Sequence, residues 1–160
     1  MHFKAKDLEE SSFSSPSGKF GNKYKEIVDV DEVRSPFDLC QVTLSPGQQN
    51  FPFHSHGAMW EMYYVLSGTA KMRTDDETAT LEAGDTYVCS PGLAHQVIND
   101  SDADFVYLVV SNEPPFDACY YPDSDKLLPR SGQKLWKKMP EDRSFWQMEE
   151  GAIYWTREDE

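Results

Sequence analysis

No stretch of the chain approaches the ~20 consecutive apolar residues of a membrane-spanning helix, and the amino end, MHFKAKDLEESSF, lacks the apolar core of a secretory leader. The expected compartment is the cytoplasm. Cysteine is scarce: Cys40, Cys89 and Cys119 are odd in number and have no CxxC spacing, which excludes a disulfide framework and predicts three reduced, mostly buried thiols. Positive charge is also short, 15 Lys and Arg against 28 Asp and Glu for a formal charge of −13. Such a field repels phosphate backbones and anionic lipid, so neither nucleic acid nor a membrane surface is an expected partner.

A 3.6-residue apolar period of helical length is missing before Lys126. In its place stand short runs rich in Val, Ile, Tyr, Phe and Thr: YKEIVDV, FDLCQVTL, FPFHSH, EMYYVL, TAKMRT, TATLEA, TYVCS, HQVIN and FVYLVVS. Turn residues separate them, among them Ser45-Pro46-Gly47, Ser67-Gly68, Ala83-Gly84-Asp85 and Ser90-Pro91-Gly92. Positive φ is expected at Gly68 and Gly84. The pattern predicts one all-β domain, a sandwich or barrel, which 160 residues suffice to build.

Three parts are expected. Residues 1–22 hold the Ser-rich EESSFSSPSGK and should form an extended arm; 23–112 carry the strands; 113–160 are punctuated by Pro114, Pro115, Pro122, Pro129 and Pro140. That last part reads as an irregular strap over the barrel or a lid across its mouth. GQKLWKKM suits a short helix within it, and AIYW a terminal strand.

Histidine is rare as well, four in all, with His2 in the arm. His54 and His56 are two apart in an extended run and so project from one face. A tight turn would bring Glu61 back beside them on the next strand, and His95, opening HQVIN, can face them across a barrel interior. Three imidazoles and a carboxylate suit one divalent transition-metal ion, Mn, Fe, Ni or Zn among the candidates, better than Ca or Mg. Tyr63 is in phase with Glu61 and is a candidate proton-transfer or hydrogen-bonding group. Lys71 and Arg73 alternate against apolar Ala70 and Met72 and are expected to face away from the interior, which counts against a phosphorylated substrate.

PGQQNFPFHSHGAMWEMYYVLSG resembles the first motif of the cupins, and GDTYVCSPGLAHQVIN resembles the second, with Gly84, Asp85, Pro91, Gly92, His95 and Asn99 at matching positions. Two departures are visible. Six residues rather than five separate Gly47 from His54, and Ser90 stands where a proline is usual. The resemblance implies a double-stranded β-helix, a jelly-roll-like barrel, with His54, His56, Glu61 and His95 as metal ligands. The Cys119–Ser124 segment, CYYPDS, is similar to one in small bacterial single-domain cupins described as sugar-phosphate isomerase candidates. The resemblance thus leads to the expectation of a metal-dependent enzyme of isomerase type acting on a small polar molecule of carbohydrate kind. An Fe(II)-dependent dioxygenase and a non-catalytic binding or sensing protein are the alternatives. Open strand edges and the arm suggest a homodimer.

Overall fold

The computed structural model describes residues 2–28, 35–130 and 146–147. A 3-10 turn at Ala5–Asp7 precedes β1 (Ser11–Ser14), β2 (Gly21–Val28), β3 (Asp38–Leu44), β4 (Ser55–His56), β5 (Glu61–Ser67), β6 (Thr69–Thr74) and β7 (Thr78–Glu82). Then come β8 (Thr86–Cys89), β9 (His95–Ile98), β10 (Phe105–Ser111), β11 (Asp117–Tyr121), β12 (Lys126–Arg130) and β13 (Trp146–Gln147). Among the described residues there is no α-helix.

A six-stranded sheet runs β1-β2-β3-β10-β5-β8, and two smaller sheets run β7-β6-β9 and β13-β12-β11-β4. Strand order differs sharply from chain order. β10 is paired antiparallel with both β3 and β5, a non-local arrangement that two-residue hairpins cannot produce.

Alternation places the core. On β5, Tyr63 and Val65 point inward while Met62, Tyr64 and Leu66 point out; on β6, Ala70 and Met72 point inward. These meet Val42, Leu44, Leu81, Val97, Phe105 and Tyr107 in one cluster between the six-stranded and three-stranded sheets. Each large side chain so buried contributes about 1.5–3 kcal/mol. Tyr107 buries its ring completely because Asn50 Nδ2 donates to its hydroxyl at 2.7 Å. Asn99, also fully buried, donates to the carbonyls of Leu44 and Ala103 and accepts from Ser101, which closes the connection between β9 and β10.

The structure departs from the sequence expectations in three places. Ser11–Ser14, expected within a loose arm, pairs with β2 across the Pro16–Gly18 turn. FPFHSH yields only the two-residue β4, with His54 in a single bridge to His95, because Pro52 has no N–H to give a ladder. After Ser111 the chain opens with a regular hairpin, β11–β12, and Pro129 sits within β12. The helix expected at 132–139 and the strand at 152–155 lie outside the described residues.

Candidate metal centre

His54 and His95 face each other through a backbone bridge, His54 N–H to His95 O at 3.2 Å and His95 N–H to His54 O at 2.8 Å. Their ring centroids are 4.7 Å apart. Two residues on, β4 carries His56 on the same side, its ring centroid 5.1 Å from that of His54. The chain then turns through Gly57–Trp60 and re-enters at Glu61, whose neighbour in register on β8 is Cys89. Of the four residues expected to form the site, His54, Glu61 and His95 come together as one group of possible ligands, and His56 lies beside them but groups with Asp117 and Cys119. One ligand atom each of His54, Glu61 and His95 lies within 4.8 Å of the others, and His56 Nε2 is 3.6 Å from Glu61 Oε2.

Each imidazole has its Nδ1 already occupied. His54 Nδ1 donates to Pro52 O at 2.9 Å, His95 Nδ1 to Leu93 O at 3.0 Å, and His56 Nδ1 to Asp117 Oδ2 at 2.6 Å. A carbonyl oxygen can only accept, so the tautomer of His54 and the Nδ1 proton of His95 are fixed by geometry. What each ring has left to offer a metal is Nε2, the arrangement in which protein imidazoles are oriented toward an ion by partners behind them.

The electrostatics are set by burial first and neighbours second. Burial, with the adjacent imidazoles, lowers the His54 pKa to about 3, leaving it neutral. For His56, burial opposes protonation, but the Asp117 and Cys119 contacts and the Glu61 charge outweigh it and carry the pKa up to about 9. His95 behaves alike, burial being overcome by Cys89 and Glu61 to about 10. Burial would raise Glu61, yet the hydrogen bond from His95 and the surrounding rings hold it well below the usual carboxylate range. Tyr63 is pushed well above its ordinary value by burial and the Glu61 charge. It stays protonated and donates to Glu61 Oε2 at 3.1 Å, with His95 Nε2 also 3.1 Å away.

Three neutralisable imidazoles and one carboxylate fit a first-row divalent ion, and nothing in the arrangement favours an all-oxygen shell. Lys71 and Arg73 point outward as expected: Lys71 Nζ donates to Thr80 Oγ1 at 2.7 Å, and Arg73 forms a two-pronged pair with Asp123 at 2.7 and 2.8 Å. Asp117 and Cys119 are the residues that sequence reasoning missed. Their only local signal is their spacing of two, the same as that of His54 and His56, and nothing in the sequence pairs β11 with β4.

Residues 40–111 match the family model of the cupin domain, and the fold is the double-stranded β-helix of that superfamily. Among curated proteins none matches by sequence. A cupin-superfamily sugar phosphate isomerase from Silicibacter pomeroyi is similar in structure, with a TM-score of 0.69 at 22% identity over 82% of this chain and 87% of that one. A candidate sugar phosphate isomerase from Acidithiobacillus ferrooxidans gives 0.68 at 22% identity over 80% of its length and 83% of this chain. The polyketide cyclase RemF from Streptomyces resistomycificus gives 0.60 at 19% identity, covering 69% of this chain and 78% of that one. At such identities the likeness is one of fold.

Proposed function

We propose that this cupin is a metal-dependent enzyme acting on a small polar molecule of carbohydrate type, its chemistry closest to an isomerase. The observation that carries the reading is the convergence of His54, Glu61 and His95, with His56 Nε2 3.6 Å from Glu61 Oε2 and every Nδ1 engaged behind its ring. Those four residues would hold one divalent ion. A bound ion of this class supplies Lewis-acid polarisation of a substrate carbonyl or hydroxyl.

The chain's own residues do the rest. Tyr63, kept protonated by burial and by Glu61, serves as a hydrogen-bond donor at the edge of the site rather than as a base. The apolar interior around Tyr63, Tyr107 and Val65 excludes water and strengthens polar contacts within it. Since Lys71 and Arg73 are engaged on the outside, a neutral or weakly acidic substrate suits the site better than a phosphorylated one. Two structural neighbours are sugar phosphate isomerases by description, which supports the sugar class but points to a phosphorylated member of it, so the sugar phosphates in the screen decide between the two.

The test is a turnover screen of sugars, sugar acids, keto acids and sugar phosphates with protein loaded in turn with Mn, Fe(II), Ni or Zn, run with and without oxygen. The reading expects anaerobic conversion of one such compound with more than one metal, lost in His54→Ala. Oxygen uptake matched to substrate and confined to Fe(II) would replace it with the dioxygenase reading. A compound that raises the melting temperature but is recovered unchanged would replace it with a binding protein.

A further inference from the structure

The cupin-domain match ends at Ser111, yet the side chain behind His56 comes from beyond it. Asp117 opens β11 with its side chain 1% exposed. Both carboxylate oxygens are used: Oδ2 accepts the Nδ1–H of His56 at 2.6 Å and Oδ1 accepts the backbone N–H of Ala58 at 2.8 Å. A buried carboxylate is tolerated only when hydrogen-bonded in this way. Backbone pairing sets its place, with Cys119 opposite His56 and Tyr120 opposite Ser55, and Gly57 N–H donating to Ala118 O at 2.8 Å. Cys119, two residues on and on the same face of β11, brings Sγ to 3.3 Å from the same nitrogen.

The three imidazole anchors are not equivalent. His54 and His95 each lean on a backbone carbonyl two residues earlier, Pro52 O and Leu93 O, which no side-chain substitution can remove. His56 alone depends on a side chain, and that side chain is charged. The separation of 2.6 Å is that of a charge-assisted hydrogen bond. Two ligands at right angles on metal bonds of about 2.1 Å would stand about 3 Å apart, so Asp117 and His56 Nδ1 do not read as a second ion's ligands.

We propose that Asp117 is a positioning residue of the metal centre: it holds His56 as the Nδ1–H tautomer with its ring fixed, so that Nε2 faces Glu61, and the β11–β12 hairpin is therefore part of the site. The inference rests on the metal-centre reading above. It assigns a job to the segment after the barrel that a cover would not have, and it makes the tautomer of one histidine depend on one carboxylate.

The test uses the full chain, metal-free and with Co(II) as the probe, in wild type, Asp117→Ala and Asp117→Asn. Nitrogen chemical shifts of the histidine rings, recorded at about pH 10 so that His56, with its pKa of about 9, is neutral, report its tautomer without metal, and visible absorbance near neutral pH reports Co(II) affinity and stoichiometry. Wild type is expected to show a single Nδ1–H form of His56 and to bind one Co(II) per chain. Asp117→Ala should lose the single tautomer and weaken Co(II) binding about 10–100-fold. Asp117→Asn should fall between, because an amide has one oxygen where the carboxylate uses two, and it carries the test if the alanine variant does not fold. Wild-type affinity with an unchanged tautomer in both variants would overturn the proposal, as would two ions per chain lost together on substitution. If wild type takes up no Co(II), the metal-centre reading fails, and the tautomer of His56 in the metal-free variants still decides whether Asp117 positions that ring.

Discussion

His95 Nδ1 donates to the carbonyl of Leu93 at 3.0 Å, and its Nε2 lies 2.8 Å from Glu61 Oε2. An imidazole protonated at both nitrogens cannot ligate, so a proton and a metal ion compete for His95 Nε2. Binding an ion there requires His95 to give up its Nε2 proton. Metal affinity should accordingly rise with pH across the neutral range, and titration calorimetry in buffers of different ionisation enthalpy should show net proton release. Uptake with no proton release would contradict the His95–Glu61 pairing.

His54→Ala should abolish metal retention and leave the barrel folded. The bridge between residues 54 and 95 uses only main-chain groups and survives the substitution, while a buried, neutral ring is lost. Elemental analysis gives the metal content, and circular dichroism with a melting curve gives the fold. Metal content equal to wild type would remove His54 from the site.

Asp38 gives a pH test away from the centre. Burial raises its carboxyl to about 6, with the Cys40 contact opposing and Glu113 adding to the rise, and Oδ1 has no hydrogen-bond partner among the described residues. A folded-state pKa above the unfolded one favours the protonated acid, so stability is highest below about pH 4, is lost as the pH climbs to about 6, and stays reduced above it. Asp38→Asn should therefore stabilise at pH 7.5 by about 1–2 kcal/mol, discounted for partial exposure, and by little at pH 4. Denaturant melts at the two pH values measure the difference. Equal effects at both would show that Asp38 does not titrate as described.

Gly68 joins β5 to β6 with φ +82°, and a Cβ placed on it would lie 2.4 Å from the carbonyl oxygen of Asp104. Gly68→Ala combines a left-handed backbone with a clash against main chain that cannot swing away. A loss of about 2–4 kcal/mol in urea unfolding is expected, whereas Gly84→Ala, at φ +95° with none of the described residues near its would-be Cβ, should cost less. The reverse order would mean that the Asp104 segment yields.

The amino-terminal strand is spent on β2 within its own chain, which leaves β8 and β1, among the described residues, as the outer edges of the six-stranded sheet. Beside the β8 edge the outer face carries the exposed Met62, Tyr64, Leu66 and Val88, with Met62 paired in register to both Val88 and Val110. An open edge flanked by an apolar face suits a second copy of the same element, and the chain is proposed to be a homodimer through it. Light scattering at micromolar concentration should give the dimer mass, and Met62→Lys the monomer mass. A monomeric wild type would dismiss the interface.

Much of this was legible in residue order. Alternation along EMYYVL and TAKMRT separates inward Tyr63, Val65 and Met72 from outward Tyr64 and Lys71 because a strand has a period of two. The same rule puts His54 and His56 on one side, and turn residues mark where strands end. What the order of residues could not supply is which strands lie side by side. Pairing β10 between β3 and β5, and β11 against β4, joins segments that are far apart in the chain, and such contacts are chosen by the packing of the whole core rather than by local preference. Asp117 shows the consequence. In sequence it is one acidic residue among 28 Asp and Glu in a proline-punctuated segment; only the β4–β11 pairing makes it the carboxylate behind His56, because a hydrogen bond of 2.6 Å depends on tertiary distance and on nothing encoded near either residue.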